Sequence, residues 1–229
     1  MCTSHKMRLV HGGANKLASQ RDIDLFLSAH PGMALRPSQD GDIHLRGRFR
    51  FSASTTGSPV VEDAFQLHIK ISRRDKDRLP LVYETGGRIP MDGNHHVNPD
   101  GSLCLGAPLR LHKILGRNYS LIDFVERCVI PFLYAISLAE AGYPRFQFGE
   151  LAHGANGLVD DYLRLFGCSS KEVLVRHLRS LTLKKRHANK QLCPCCCGRK
   201  LVKCRTHKLL LEMRSTIPKR LIRETLATL

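Results

Sequence analysis

The hydrophobic pattern changes from a helical period to a strand period near the start of the chain. Residues 19–29 place Ile23, Phe26 and Leu27 on one face at helical spacing, and prolines and glycines follow them. Three successive segments then alternate apolar and polar residues, which predicts strands with one face towards solvent. These predicted strands are residues 42–54, 64–72 and 79–87. A helix followed by consecutive strands with short links predicts an antiparallel meander, and therefore an α+β fold.

A Gly- and Pro-rich stretch follows the predicted strands. Residues 86–118 have no long periodic pattern but include the apolar residues Val97, Leu103 and Leu105. Long irregular segments inside compact domains are commonly functional, so we expect an ordered, functional loop here. Beyond it, residues 120–142 predict a long apolar helix that covers the sheet.

The last part of the chain is helical and basic. Further helical patterns occur at residues 156–166, 170–183 and about 215–228. The formal charge is +16, and residues 171–229 contain 16 basic but only 3 acidic side chains. We therefore predict a near-neutral domain over residues 1–167 and a basic helical tail over residues 168–229. Such a tail attracts nucleic acid, acidic proteins or anionic lipid, and its charge alone leaves these partners open.

The sequence predicts neither export nor a membrane span. The longest uncharged apolar stretch, residues 128–139, is well short of the ~20 residues that a spanning helix needs. Residues 1–16 lack the apolar segment of a secretory signal. Five of the nine cysteines lie between residues 193 and 204, which is unlike the even spread of a disulfide framework. We therefore expect a cytoplasmic protein that does not bind membranes.

One cysteine lies in the predicted loop, within the string HHVNPDGSLCLG. Alternation places Leu103 and Leu105 on one side and Cys104 on the other, so the thiol faces outward if the leucines anchor the loop. A reachable thiolate is a nucleophile, and the amide of Asn98 is a suitable hydrogen-bond donor to an oxyanion. His96 could act as a base or could hold the loop through hydrogen bonds. The alternative is that Cys104 is only a small buried apolar residue.

The clustered cysteines predict a metal site in the tail. Zinc takes four thiolate or imidazole ligands in a tetrahedron, and a tight turn plus a following segment can supply them. So many cysteines in a short stretch of a cytoplasmic protein favour zinc binding over disulfide bonding. One set of ligands would pair Cys193 with Cys196 and Cys204 with His207.

The string C-P-C-C-C-G-R-K in this cluster resembles the SEC-C zinc motif, whose pattern is C-P-C-x-x-G-x-K with a later cysteine. The ligands that this resemblance implies are Cys193, Cys195, Cys204 and His207. His207 is included because Arg205 stands where the motif has its last ligand. Cys196 or Cys197 could take the place of Cys195. SEC-C modules are mostly docking elements, which implies that the tail binds other proteins.

The order of the elements and two short motifs resemble the ubiquitin-conjugating enzymes, in particular their divergent bacterial members. The family has a His-Pro-Asn tripeptide shortly before a G-x-[IL]-C-L string. Here the tripeptide is His96-Val97-Asn98, and the string is GSLCL, which ends at Leu105. The likeness extends over residues 17–145. It departs from the family in Val97, which replaces the proline, in the short spacing from Asn98 to the cysteine, and in the absence of tryptophan.

The resemblance implies that Cys104 is the catalytic cysteine, that Asn98 stabilises the oxyanion and that His96 orders the loop. Members of the family accept a ubiquitin-like protein from an activating enzyme as a thioester and transfer it to an amine of a target protein. The bacterial members occur in conjugation or antiviral defence operons. Glu150 and His153 belong to a segment that resembles a family extension and could approach the site.

Two other functions remain open from the sequence. The chain could be a catalytically inactive docking module of the same fold, which would not depend on the Cys104 thiol. It could also be a zinc-containing nucleic-acid-binding protein, with a salt-sensitive affinity carried by the basic tail. The three hypotheses differ in whether the Cys104 thiol or the basic tail carries the activity.

Overall fold

A four-stranded antiparallel sheet lies in the described part of the chain, with its strands side by side in chain order. The computed structural model describes Leu17, residues 19–143 and residues 154–229. The strands are β1 (Met33–Arg36), β2 (Ile43–Ala53), β3 (Val61–Ile71) and β4 (Leu81–Glu84). β2, β3 and β4 coincide with the three predicted strands, so the antiparallel meander and the α+β class are confirmed.

β1 is a short edge strand that the hydrophobic pattern did not predict. Its four residues are too few for a visible alternation. It pairs with β2, and Met33 lies opposite Gly47. A Cβ atom at Gly47 would lie 2.1 Å from the carbonyl oxygen of Gly32, and the φ of Gly47 is +152°. The close approach of β1 therefore requires glycine at this position.

Alternate residues of β2 and β3 face one apolar core. Phe49 pairs with Phe65, and Leu45 pairs with Ile69. All four side chains are buried, and α1 (Gln20–Ala29) packs against the same cluster. The residues between them point to the opposite face of the sheet, as the period of two in a strand requires.

The predicted helix over residues 120–142 covers this core but is not regular. It consists of α3 (Leu121–Phe124), a wider π-helical turn (Val125–Val129) and α4 (Ile130–Glu140). Pro131 lies in the first turn of α4. Proline has no N–H group to donate, so the regular pattern of hydrogen bonds is interrupted just before it and the wide turn forms there.

The remaining helices build a second apolar cluster. They are α2 (Pro108–Leu115), α5 (Gly154–Phe166), α6 (Lys171–Thr182), α7 (Lys185–Ala188), α8 (Thr206–Thr216) and α9 (Lys219–Thr228). α5, α6 and α9 lie where helical patterns were predicted, whereas α2, α7 and α8 were not predicted. Tyr162 and Phe166, which precede the predicted boundary at residue 167, share this cluster with Leu174 and Met213 beyond it.

α2 packs on two sides and joins the two clusters. Leu111 and Leu115 belong to the cluster on the sheet, whereas Leu109 belongs to the second cluster. Next to them, the guanidinium group of Arg110 binds the carboxylate of Asp161, with 2.6 Å between Nη2 and Oδ1. The basic C-terminal helices are therefore fixed to the sheet domain through α2.

Within the described residues, none of the helices has the length and apolar composition that a membrane crossing requires.

The two partners of the ion pair between α2 and α5 are expected to differ in how much their substitution destabilises the fold. Asp161 has 3% of its side chain exposed and Arg110 has 38%. Arg110→Ala leaves a buried carboxylate without its partner, and we expect it to lower the free energy of unfolding by about 3 kcal/mol. Asp161→Asn should cost less, because the guanidinium group of Arg110 can reach water.

Urea denaturation followed by circular dichroism measures both changes. Arg164→Ala is the control, since Arg164 is exposed on α5 and its removal should change the stability by no more than about 0.5 kcal/mol. An equal effect of Arg110→Ala and Arg164→Ala would mean that the pair does not hold α5 against α2.

Candidate functional site

The loop that carries Cys104 begins beside β4 and is ordered by its own hydrogen bonds. Asp92 caps a short 3-10 helix (Gly93–His95), and its Oδ1 accepts the backbone N–H of His95 at 2.9 Å. The same oxygen lies 2.7 Å from Nδ1 of His95, and this contact lowers the pKa of Asp92. His96 then adopts a left-handed conformation with a φ of 55°, which reverses the direction of the chain.

Cys104 lies in a two-stranded turn attached to the edge of the sheet. Val97 and Leu103 form an antiparallel bridge, and both side chains are buried. The N–H of Leu103 donates to the carbonyl oxygen of Val82 in β4 at 2.7 Å. The N–H of Cys104 donates to the carbonyl oxygen of His96, also at 2.7 Å. Hydrogen bonds therefore hold the backbone on both sides of the turn, and Cys104 is partly exposed.

Asn98 forms the turn between the two sides. Its N–H donates to the carbonyl oxygen of Ser102 and its carbonyl oxygen accepts from Gly101, both at 2.8 Å. Its side-chain amide donates to the hydroxyl of Ser102 at 3.0 Å. Ser102 in turn donates to Asp100 at 2.6 Å, and these bonds lower the pKa of Asp100. One N–H of the Asn98 amide is thus used within the turn, and an amide nitrogen carries two.

The three predicted residues of this site therefore lie on one turn but make different contacts. The backbone of His96 touches Cys104, as a residue that orders the loop would. In the described part of the chain, the hydrogen bond of the Asn98 side chain goes to Ser102 and not to Cys104. Glu150 and His153 lie outside the described residues.

Four cysteine thiols converge in the loop before α8. Cys193, Cys195, Cys197 and Cys204 have their sulfur atoms within 4.8 Å of one another. The Sγ of Cys204 lies 3.6 Å from the Sγ atoms of Cys195 and Cys197, and the Sγ of Cys193 lies 3.2 Å from that of Cys195. A tetrahedral zinc ion with Zn–S bonds of about 2.3 Å would hold its sulfurs about 3.8 Å apart. The four thiols could therefore hold a metal ion.

The backbone of this loop decides which thiols point inwards. The N–H of Cys193 donates to the carbonyl oxygen of Arg199 at 2.8 Å, and the N–H of Cys196 donates to that of Cys193 at 3.0 Å. Cys196 and Gly198 both have positive φ, at 66° and 72°. With Cys196 in the left-handed conformation, its Sγ lies 3.7 Å from the carbonyl oxygen of Pro194, whereas the thiols of Cys195 and Cys197 both approach that of Cys204.

The group differs from the predicted ligand set at one position. Cys193, Cys195 and Cys204 were predicted and are brought together, whereas Cys197 joins them and His207 does not. The N–H of His207 donates to the carbonyl oxygen of Cys204, one turn away from the thiols. Three consecutive cysteines carry no sequence signal that says which of them faces the others. That choice depends on the turn conformation. The sequence offered Cys197 only as a substitute for Cys195, whereas in the structure Cys195 stays in the group and Cys197 stands in the place predicted for His207.

The environment of the thiols is uneven. Cys193 and Cys204 are buried within the second apolar cluster. Burial raises the pKa of Cys193, whereas hydrogen bonding with Thr206 lowers the pKa of Cys204. The sequence around the thiols is basic, as at Arg199, and no Asp or Glu occurs between residues 184 and 211. This stretch of sequence therefore supplies no carboxylate that could compete with the thiols for a metal ion.

The two sites are connected through α2. The turn that holds Cys104 leads directly through Ala107 into α2. Ala107 and Leu109 pack in the same cluster as Cys193 and Cys204. The helix that follows Cys104 and the cysteine loop therefore belong to one apolar cluster.

Comparison with known proteins found no match to a family model, to a curated protein or to a solved structure.

The geometry predicts that Cys197, and not Cys196 or His207, holds the metal ion. Cys197→Ser removes one of four converging thiols, so we expect the affinity for Zn²⁺ to fall at least about tenfold. Cys196→Ser should leave it unchanged, because that thiol is not one of the four that converge and contacts the carbonyl oxygen of Pro194 instead. Competition with a colorimetric chelator measures the affinity, and elemental analysis gives the metal content per chain.

His207→Ala is the second comparison. If His207→Ala released the metal as readily as Cys197→Ser, the histidine would be a ligand and the four-thiol site would be wrong.

Proposed function

We propose that this chain carries an acyl group as a thioester on Cys104 and transfers it to an amine of a target protein. What supports the proposal is that Cys104 is partly exposed and lies on a turn whose backbone is anchored to β4. A nucleophile that passes a large acyl group between proteins has to be reachable and held in one orientation. The burial of Val97 and Leu103 on the other side of the turn supplies that orientation.

The first step is thioester exchange. The Cys104 thiolate attacks the carbonyl carbon of an incoming thioester, and the thiolate of the donor protein leaves with the electron pair of the broken C–S bond. The proposed donor is a ubiquitin-like protein, or another protein with an activated C-terminus, carried by an activating enzyme. This step needs no metal ion.

The second step is aminolysis. A neutral amine attacks the same carbonyl carbon, an amide bond forms and the C–S bond breaks with its electron pair on the Cys104 sulfur. The departing sulfur takes up the proton that the amine loses, which regenerates the thiol. In the proposal, the second N–H of the Asn98 amide donates to the oxyanion of the tetrahedral intermediate. Asp92 and Asp100 have lowered pKa values because of their bonds to His95 and Ser102, so both are ionised at neutral pH. Their negative charge favours the approach of a lysine side chain.

The proposed metal ion is zinc with a structural role. Four thiolates form a closed tetrahedral set, which is typical of structural zinc and leaves no position for a substrate. Zinc would fix the loop from Cys193 to Cys204 against the second apolar cluster, and thereby support α2 behind the Cys104 turn. The proposal places the protein in the cytoplasm, where the thiols stay reduced.

The acyl intermediate can be trapped on a serine variant. We expect Cys104→Ser, expressed in the native host together with its neighbouring genes, to accumulate an oxyester, because an alkoxide is a poorer leaving group than a thiolate. Intact-mass spectrometry should find the variant heavier by the mass of one small protein, and fragmentation identifies that protein.

Two variants control for other nucleophiles. Cys104→Ala should carry no adduct, and Cys168→Ser should load Cys104 like the wild type. Cys168 is partly exposed like Cys104, but burial raises the pKa of Cys168 to about 11. If neither the Cys104→Ser variant nor the wild type under non-reducing conditions carried an adduct, the result would favour the catalytically inactive docking module.

The roles of Asn98 and Ser102 can be separated by measuring loading and transfer independently. Asn98→Ala removes the proposed oxyanion donor, so transfer to a free amine should slow about 100-fold while thioester loading stays near the wild-type rate. Ser102→Ala removes the hydrogen-bond partner but keeps the Asn98 amide, and transfer should slow less. Equal losses in both steps for both variants would mean that Asn98 only shapes the turn.

A further inference from the structure

The face of the sheet opposite the core carries exposed arginines. Since odd-numbered residues of β2 pack inwards, its even-numbered residues point outwards, and Arg46, Arg48 and Arg50 are all exposed. Arg36 of β1 pairs with His44 of β2 and is exposed on the same side. We call the four arginines Arg36, Arg46, Arg48 and Arg50 the arginine face.

The arginine face has no carboxylate partners among the described residues. The ion pairs found there use other cations, and none involves these four guanidinium groups. By contrast, Arg88 binds Asp63 and Glu140 beside the same sheet. Exposed guanidinium groups without carboxylates are free to bind anions from solution, and their planar fork suits phosphate oxygens.

The arginines form a line. Alternate residues on one side of a strand are about 6.8 Å apart, so Arg46, Arg48 and Arg50 make a straight row of positive charges. This separation is comparable to that between successive phosphates of an extended polynucleotide strand. Arg36 continues the surface on the next strand. It also borders an open groove of about 500 Å³ at the end of that strand, which is lined by Asp42 and Leu35 as well as by Arg73.

The part of this face around Arg48 and Arg50 argues against a protein partner. The outward residues of β2 and β3 beside the arginines include Ser52, Glu62, Ala64 and Gln66, with no large apolar side chain among them. Protein interfaces need a desolvated centre of aromatic or apolar residues. A polyanion needs none, because the release of counterions supplies much of its affinity.

An aromatic column borders the arginine row. The rings of His44 and His68 stack with centroids 4.9 Å apart, and those of His68 and Tyr83 with centroids 5.3 Å apart. Burial, followed by the charge of Arg46, lowers the pKa of His68 to about 4, so His68 is neutral at pH 7. His44 is largely covered, since 12% of its side chain is exposed and its Nε2 lies 3.0 Å from Oδ1 of Asp40. Tyr83 is partly exposed and offers aromatic surface for bases beside the charged row.

We propose that the arginine face binds the phosphate backbone of a single-stranded nucleic acid. A single strand fits better than a duplex, because a flat sheet face has no projecting helix or ribbon to enter a groove. The assignment differs from the expectation of the sequence, which placed nucleic acid on the basic tail. It is independent of the chemistry at Cys104.

Fluorescence anisotropy with a labelled oligothymidylate of about 20 nucleotides tests the assignment. We expect the triple variant R46Q/R48Q/R50Q to bind at least about tenfold more weakly than wild type. The slope of log affinity against log salt should become shallower by about 2, since each lost phosphate contact removes about 0.7. Cys104→Ala should bind like wild type.

The matched control removes the same three charges from the tail. Lys184, Lys185 and Arg186 are exposed, and K184Q/K185Q/R186Q should keep its affinity within about twofold. Melting curves of both triple variants check that they fold, and their surface positions should leave the midpoints unchanged.

Four results would overturn the proposal. One is loss of binding in the tail variant but not in the sheet variant. Another is equal affinity for the matching duplex, and the third is equal affinity for polyglutamate, which would indicate an acidic protein instead. Absence of any binding by the wild type at low salt would overturn it as well.

Discussion

The packing of α2 on two sides is the constraint on which the arrangement of both candidate sites depends. Its Leu111 and Leu115 belong to the core under the sheet, and its Leu109 belongs to the core built by the C-terminal helices. A helix of eight residues has little stability of its own, so these contacts hold it in place. Because α2 starts four residues after Cys104, the turn before it and the cysteine loop behind it are positioned by the same packing.

The sequence predicted the elements whose hydrophobic period runs over many residues. β2 and β3 have eleven residues each, and their alternation also identified which side chains form the core. β1, with four residues, and α2, which starts at a proline inside a Gly- and Pro-rich stretch, gave no comparable signal. Their formation depends on tertiary contacts, such as the pairing of Met33 with Gly47, which a periodic pattern does not contain.

In the candidate sites, too, the sequence predicted what depends on a hydrophobic period and missed what depends on the folded backbone. The alternation around Cys104 correctly placed Leu103 in the core, because that depends only on the period of a strand. It did not separate Cys104 from Leu105, since both residues are partly exposed. The spacing of Asn98 gave no indication of its bond to Ser102, which arises from the folded turn. Likewise, the left-handed conformation of Cys196 selects Cys197 for the metal group, and no composition rule anticipates a backbone angle.

The hydrogen bond from Leu103 to Val82 has a consequence for solubility. It occupies a backbone acceptor on the outer edge of β4, where an open strand would be a template for pairing with another chain. At the opposite edge, β1 is short and ends at the charged Arg36, which also discourages such pairing. A change that detaches the Cys104 turn would therefore bare a sheet edge as well as displace the thiol. Such a variant would then aggregate on expression as well as lose the position of the thiol. Its soluble yield should be compared with that of the wild type before any loss of function is attributed to the chemistry of Cys104.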